Sequence, residues 1–268
     1  MDLDKLVEMI LASTKYRYVS PDLVRRVGAA ELAKGRKLKE AVKATKNKLH
    51  QVGGAYQAGA IDFDRALVEM AAVADDPEGL RQLCRNLMQR HASTQERLPI
   101  LDEFYATIFA HLPPIQSLMD VACGLNPLAW PWLPLPRDIV YVAYDIYADS
   151  TAFLQQALGL MGVINGRCQT RDIIAHPPTE PVDLVLILKT LTCLELGEKT
   201  AVSTLLNGLN ARYLLISYPI QTLGGRRKGL GASYEQQFQA LAAERGWQQY
   251  QRFEFATELA FLVVNRGD

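Results

Sequence analysis

The feature that most constrains this chain is a change of texture at Pro113. Before it, apolar residues recur only at helical spacing, and no strand-like alternation of useful length occurs. After it, short apolar runs ("SLMDVA", "IVYVAYD", "VDLVLILK", "RYLLISYP") alternate with stretches of helical periodicity ("DSTAFLQQALGLMG", "EKTAVSTLLNGLN"). Strand and helix in series imply a parallel sheet with crossover helices. The tail breaks that rhythm: "WQQYQRFEF" and "LAFLVVN" are β-rich and separated by "ATE" alone. So short a link requires an antiparallel hairpin rather than a crossover. The expected fold is therefore α/β, with a helical domain over residues 1–112 and a mostly parallel sheet ending in an antiparallel hairpin over 113–268.

Within the helical part, Leu3, Leu6, Val7, Ile10 and Leu11 fall on one stripe. Ser20 with Pro21, and Asp76 with Pro77, read as N-caps followed by proline at the first helical position. "GGAYQAG", 53–59, reads as a break between helical subunits. Formal net charge is zero, yet between Lys15 and His50 eleven Lys or Arg face three acids, a local charge of +8. Residues 113–268 carry a net of −2. A charge so concentrated acts through its local field, and polyphosphate is its commonest partner. Lys37, Lys39, Lys43 and Lys46 are the candidate RNA contacts; a solvated helical face is the competing reading.

The longest aliphatic run, "LVLIL", falls far short of the roughly 20 residues that span a bilayer. The start, "MDLDKLVEMI", resembles no signal or transit peptide. Four scattered cysteines suit reduced thiols in the cytoplasm and offer no zinc site, so neither membrane nor metal is expected. Nothing points to an obligate oligomer, and a monomer is expected.

In an open parallel sheet, ligands bind beyond the carboxyl ends of the strands. The first candidate strand ends in "LMDVACGLNPLA", 118–129, where Gly124 lets backbone approach a ligand closely. Asp145 closes the second strand about 20 residues on, where an acid bonds ribose hydroxyls. Asp172 stands near the next strand end, where a carboxylate can accept from an exocyclic amine. Either acid alone suits a helix cap equally well; together at successive strand ends they favour an adenosine ligand. A dinucleotide wants G-x-G-x-x-G to admit its pyrophosphate, and "CGLNPL" puts Asn126 and Pro127 there instead. S-adenosyl-L-methionine, which has no pyrophosphate, fits better, and the order of elements is similar to that of class I methyltransferases.

Four further stretches, "HASTQERL" (91–98), "DVACGLNPLA" (120–129), "LKTLTCLE" (188–195) and "LGGRRKG" (223–229), together closely resemble the aminoglycoside-resistance 16S rRNA (guanine(1405)-N(7))-methyltransferase family. "STKYRYVSPDLVRR" resembles that family's N-terminal helical domain. Departures are small: Gln95 replaces a familiar lysine, Arg227 a frequent glycine and Leu230 a common methionine. The resemblance implies methylation of guanine N7 in the decoding site of the 30S subunit. It implies His91, Ser93 and Arg97 near the cofactor's methionine end, Ala122 and Gly124 packing on it, Asp145 with Ile146 at the ribose, and Asp172 with Ile173 at the adenine. It also implies Lys189 and Glu195 as catalytic residues, Lys189 bordering the cofactor, Glu258 as a supporting acid, and Arg226, Arg227 and Lys228 on RNA backbone. The bland alternatives are an Arg97–Glu103 surface pair and a Lys189–Glu195 salt bridge. Another rRNA or tRNA base as target, and a non-catalytic RNA-binding protein with a vestigial fold, are the competing functions.

Overall fold

The computed structural model describes residues 2–56, 61–197, 200–220 and 230–266. Helices α1 (Asp2–Leu11), α2 (Pro21–Leu32) and α3 (Leu38–Val52) come first, then α4 (Phe63–Ala72), α5 (Pro77–Met88), α6 (Ala92–Arg97) and α7 (Leu101–Phe109). Asp76 caps α5 by accepting from Glu78 N at 3.1 Å, whereas the Ser20 side chain makes no capping bond to α2. After residue 113 come β1 (Ser117–Val121), β2 (Val140–Asp145), α8 (Ala148–Leu160), β3 (Asn165–Thr170) and β4 (Pro181–Leu188). They are followed by α9 (Thr190–Gly197), α10 (Ala201–Gly208), β5 (Asn210–Pro219), α11 (Leu230–Arg245), β6 (Tyr250–Glu254) and β7 (Glu258–Val264).

The seven strands lie in the order β3-β2-β1-β4-β5-β7-β6. The first five are parallel and β7 runs antiparallel to both β5 and β6, so the closing hairpin stands as expected. β4 is buried along nearly its whole length, which is why it reads as an unbroken aliphatic run. β3 has no such run because it is the sheet edge and exposes most of its side chains.

Apolar packing divides the helices before Pro113 between two cores. Leu6, Ile10, Leu23, Val24, Ala41 and Leu49 form a cluster within α1–α3. Met70, Cys84, Met88, Phe104, Tyr105 and Ile108 instead share one core with Leu118, Tyr141, Phe153 and Leu184 of the sheet layer. Helices α4–α7 are thus built onto the sheet, and α1–α3 form the unit with its own core. That unit is fastened by backbone bonds: Ser20 N donates to Ile146 O at 2.8 Å, and Ala148 N to Tyr18 O at 2.7 Å.

Candidate active site

A cleft opens over the carboxyl ends of β1, β2 and β4, where the strand order reverses on either side of β1. Its floor is the bend after β1. Ala122 and Gly124 both adopt left-handed backbone, with φ of 51° and 53°. A single glycine was expected to make this turn; the structure uses a pair, with alanine in the first place at a cost of about 1–2 kcal/mol. Gly124 is required twice over, because a Cβ there would lie 2.7–3.1 Å from three atoms of the His91 ring.

At the adenosine end, Asp145 braces this bend. Its Oδ2 accepts from Gly124 N at 2.8 Å, and its Oδ1 from Ile146 N at 2.7 Å and Tyr147 N at 3.3 Å. Burial raises its carboxyl pKa, and the three amides oppose the rise. Asp172 accepts from Ile174 N and Ala175 N, so it does cap the following turn; it also lines the cleft beside Ile146 and Ile173. Its principal partner was not foreseen: Arg26 of α2 grips it with Nε at 2.7 Å and Nη2 at 3.2 Å.

At the other end, Arg97 is wholly buried. Its Nε and Nη2 donate to Glu258 at 3.0 and 2.7 Å, and its Nη1 donates to Asn126 Oδ1 at 2.9 Å. The expected alternative of a surface pair with Glu103 is therefore replaced by a buried, two-pronged pair with β7. Three of five guanidinium N–H groups are engaged, which leaves two for a ligand carboxylate. Asn126 links this pair onward, donating to Asp120 Oδ2 at 2.7 Å. Burial pushes the Asp120 carboxyl up to about 7, against hydrogen bonds from Asn126 and Tyr141 and the charge of Arg97. Glu258 goes the other way: burial would raise it, but Arg97, Lys189 and Ser217 hold it below the usual carboxylate range.

Lys189, first residue past β4, has φ of 59° and is 4% exposed. Its Nζ meets Glu96 at 2.8 Å, Ser93 O at 3.2 Å and Glu258 at 3.4 Å. The Lys189–Glu195 bridge anticipated as an alternative does not form. Glu195 lies exposed on α9, accepts from Gln237 Nε2 at 2.6 Å and stays apart from the buried cluster. His91 lies between the cleft and a second groove, stacked on Tyr56 with centroids 6.2 Å apart, and its Nδ1 is buried without a partner. Burial, then Lys189 and Arg97, lower its pKa to about 4. Tyr56 also accepts from the Cys193 thiol at 2.9 Å. Sequence reading gave no role to Arg26, Tyr56, Glu96 or Asn126, although each stands in a stretch that had drawn notice: "STKYRYVSPDLVRR", "GGAYQAG", "HASTQERL" and "DVACGLNPLA".

On the outer face, Lys39 and Lys43 of α3 are exposed one turn apart, with Lys37 before them and Lys46 half-buried 5.9 Å from the Tyr16 ring. Lys34 and Arg36 are drawn to buried Glu31, and Arg25 to Asp4. Lys37, Lys39, Lys43 and Lys46 have no ion-pair partner among the described residues. Arg226, Arg227 and Lys228 lie outside the described residues. Among the described residues no cluster of His, Cys, Asp or Glu forms a metal cage, and no helix is long and apolar enough to cross a membrane.

Sheet order, antiparallel closing strand and a cleft floored by a glycine bend with an acid at the end of β2 define a class I methyltransferase. Residues 12–263 match the family model described as ribosomal RNA methyltransferase (FmrO), and the chain belongs to that family. It is 38% identical over 265 residues to the 16S rRNA (guanine(1405)-N(7))-methyltransferase of Micromonospora rosea, covering 97% of this chain and 96% of that one. The Serratia marcescens enzyme of the same name is 33% identical, with both chains covered in full. Among solved structures, the 16S rRNA methyltransferase RmtF in complex with S-adenosyl-L-homocysteine superposes with a TM-score of 0.80 at 29% identity, covering 98% and 97% of the two chains. An rRNA methylase from Escherichia coli gives 0.74 at 29% identity, covering 98% of this chain and all of that one.

Proposed function

We propose that this protein methylates N7 of guanine 1405 of 16S rRNA in the 30S subunit, using S-adenosyl-L-methionine, and thereby confers aminoglycoside resistance. The observation that carries this is sequence identity of 37–38% across 97% of the chain with relatives of that activity. The cleft suits the cofactor. It offers apolar Ile146 and Ile173, two acids at successive strand ends, and an arginine with two uncommitted N–H groups. Asp145 is the ribose acid, Asp172 the adenine acceptor, and His91, Ser93 and Arg97 border the methionine end, with the Ala122–Gly124 bend beneath.

S-adenosyl-L-methionine supplies an electrophilic methyl on a sulfonium. Guanine N7 presents an in-plane lone pair and no proton, so the chain needs no general base, only alignment. Holding two reactants in line recovers about 7–11 kcal/mol of a barrier. Charge balance around the methyl follows from the residues. Lys189 would repel a sulfonium, but Glu96 and Glu258 flank its ammonium. His91, with its pKa lowered to about 4, adds no charge at neutral pH. Glu96 and Glu258 balance Lys189 and Arg97, so the cluster adds no net positive charge beside the methyl, with Glu258 supporting through Arg97 and Lys189. Lys189, just before α9, and Glu195, in its second half and outside the cleft lining, are the residues assigned to the target nucleotide.

Lys37, Lys39, Lys43 and Lys46, with Arg226, Arg227 and Lys228, contact RNA backbone; of residues 1–112, the docking part, α1–α3 form the separate unit and α4–α7 join it to the transferase domain of 113–268. A monomer is the proposed state, and a ribosomal substrate supports a cytoplasmic location. The test is transfer of labelled methyl to 30S subunits, with the modified base mapped by primer extension after borohydride and aniline cleavage. A methyl on any other base, or none, refutes the proposal. Changing Lys39, Lys43 and Lys46 to Glu should abolish docking while S-adenosyl-L-homocysteine still binds.

A further inference from the structure

The α1–α3 unit is fastened to the sheet at two loops, and these are the loops that carry the two adenosine-facing acids. At the first, Val19 pairs with Tyr147, and Ser20 N donates to Ile146 O, directly after Asp145. At the second, Arg26 grips Asp172 through Nε and Nη2, two donors on one guanidinium edge, with side chains 26% and 2% exposed. Leu23, one turn before Arg26, joins it in lining the cleft. A fastening that served cohesion alone could lie anywhere along the contact between the two cores; both of these lie on the cleft wall.

We propose that Arg26 is a positioning residue of the cofactor site. Reaching in from α2, it fixes the Asp172 carboxylate for the exocyclic amine of adenine, so that cofactor binding and seating of the docking helices strengthen each other. The inference rests on the reading of this cleft as the S-adenosyl-L-methionine site. Asp172 Oδ1 already takes three donors, from Arg26 Nη2, Ile174 N and Ala175 N. Oδ2 takes one, Arg26 Nε, and keeps lone-pair capacity for an incoming N–H. A guanidinium locks the plane of the carboxylate it grips, which a single ammonium does not. Coupling is reciprocal: if a seated α2 improves adenosine binding, bound adenosine holds α2 in place by the same factor.

The test titrates full-length protein with S-adenosyl-L-homocysteine by calorimetry. Arg26→Ala should weaken binding about tenfold or more, as expected for a lost hydrogen bond to a charged group. Arg26→Lys should recover part of the loss. In an Asp172→Asn background, Arg26→Ala should change affinity by no more than about twofold, since coupled residues are non-additive. Hydrogen exchange in residues 21–32 should slow on adding S-adenosyl-L-homocysteine to the wild type and not to Arg26→Ala. Unchanged affinity in Arg26→Ala, equal losses in both backgrounds, or no ligand-dependent protection of α2 in the wild type each overturn the inference while the cofactor site stands. Failure of the wild type to bind S-adenosyl-L-homocysteine overturns both.

Discussion

Replacing Glu258 with Gln tests whether the buried network holds the protein together. The Glu258 carboxylate is wholly buried and receives Arg97 Nε and Nη2 at 3.0 and 2.7 Å, Ser217 Oγ at 2.6 Å and Lys189 Nζ at 3.4 Å. Gln keeps the shape but substitutes an NH2 for one oxygen, so a donor faces a donor, Arg97 loses its paired carboxylate and Lys189 keeps Glu96 alone. Removing one partner of a buried pair costs about 3–5 kcal/mol. Unfolding entropy of about 2.1 cal/mol/K per residue over 268 residues turns that into a fall in Tm of about 5–9 °C. The same change at exposed Glu254, paired with Arg252 on the surface, should move Tm by less than about 1 °C. Glu258 also predicts a pH signature. Its folded-state pKa lies below the ordinary 4.5, so its contribution is fully present above 4.5 and is lost as pH falls through the depressed value. The Tm gap between wild type and Glu258→Gln, followed by circular dichroism, should stay constant from about pH 8 to about pH 5 and narrow below that. A gap under about 2 °C at neutral pH, or one that widens in acid, would refute the reasoning.

Three further outcomes are expected. Gly124→Ala should lose about 1–2 kcal/mol of stability and at least about tenfold in S-adenosyl-L-homocysteine affinity, because strained backbone is added to a clash with His91; Ala122→Gly should stay within about 1 kcal/mol of wild type by calorimetry. His91 should remain neutral by nitrogen-detected NMR until near pH 4; since the unfolded chain takes up that proton near 6.5, stability should decline as pH falls between these values, and His91→Gln should remove that component. Asp120→Asn should raise Tm above about pH 8, with the gain shrinking as pH falls through about 7, because the buried carboxyl ionises only against its burial; a loss of Tm at alkaline pH would sink that account.

What could be read from sequence, and what could not, follows from how far apart the interacting residues lie along the chain. The alternation of β1, β2 and β4 with helices is a local pattern, as is the tight β6–β7 link, so fold and cleft position were legible. The positions of Asp145 and Asp172 were legible for the same reason, since Asp145 ends its strand and Asp172 stands two residues past its own. Their partners were not. Arg26 and Asp172 are 146 residues apart, Arg97 and Glu258 161, and Lys189 and Glu96 93. No spacing rule reaches across such distances, and each charge taken singly reads as a surface residue. The two bland alternatives, Arg97–Glu103 and Lys189–Glu195, join residues near in sequence, and neither forms: Arg97 pairs with Glu258 and Lys189 with Glu96. In a parallel sheet the strand ends gather groups from remote segments, so a charged residue there finds its partner on a neighbouring strand or packed helix. The basic run shows the converse. Its summed charge is a sequence quantity, but Glu31, Asp4 and Asp172 each bind part of it, and the charge left over is carried by the lysines those acids leave on the face of α3.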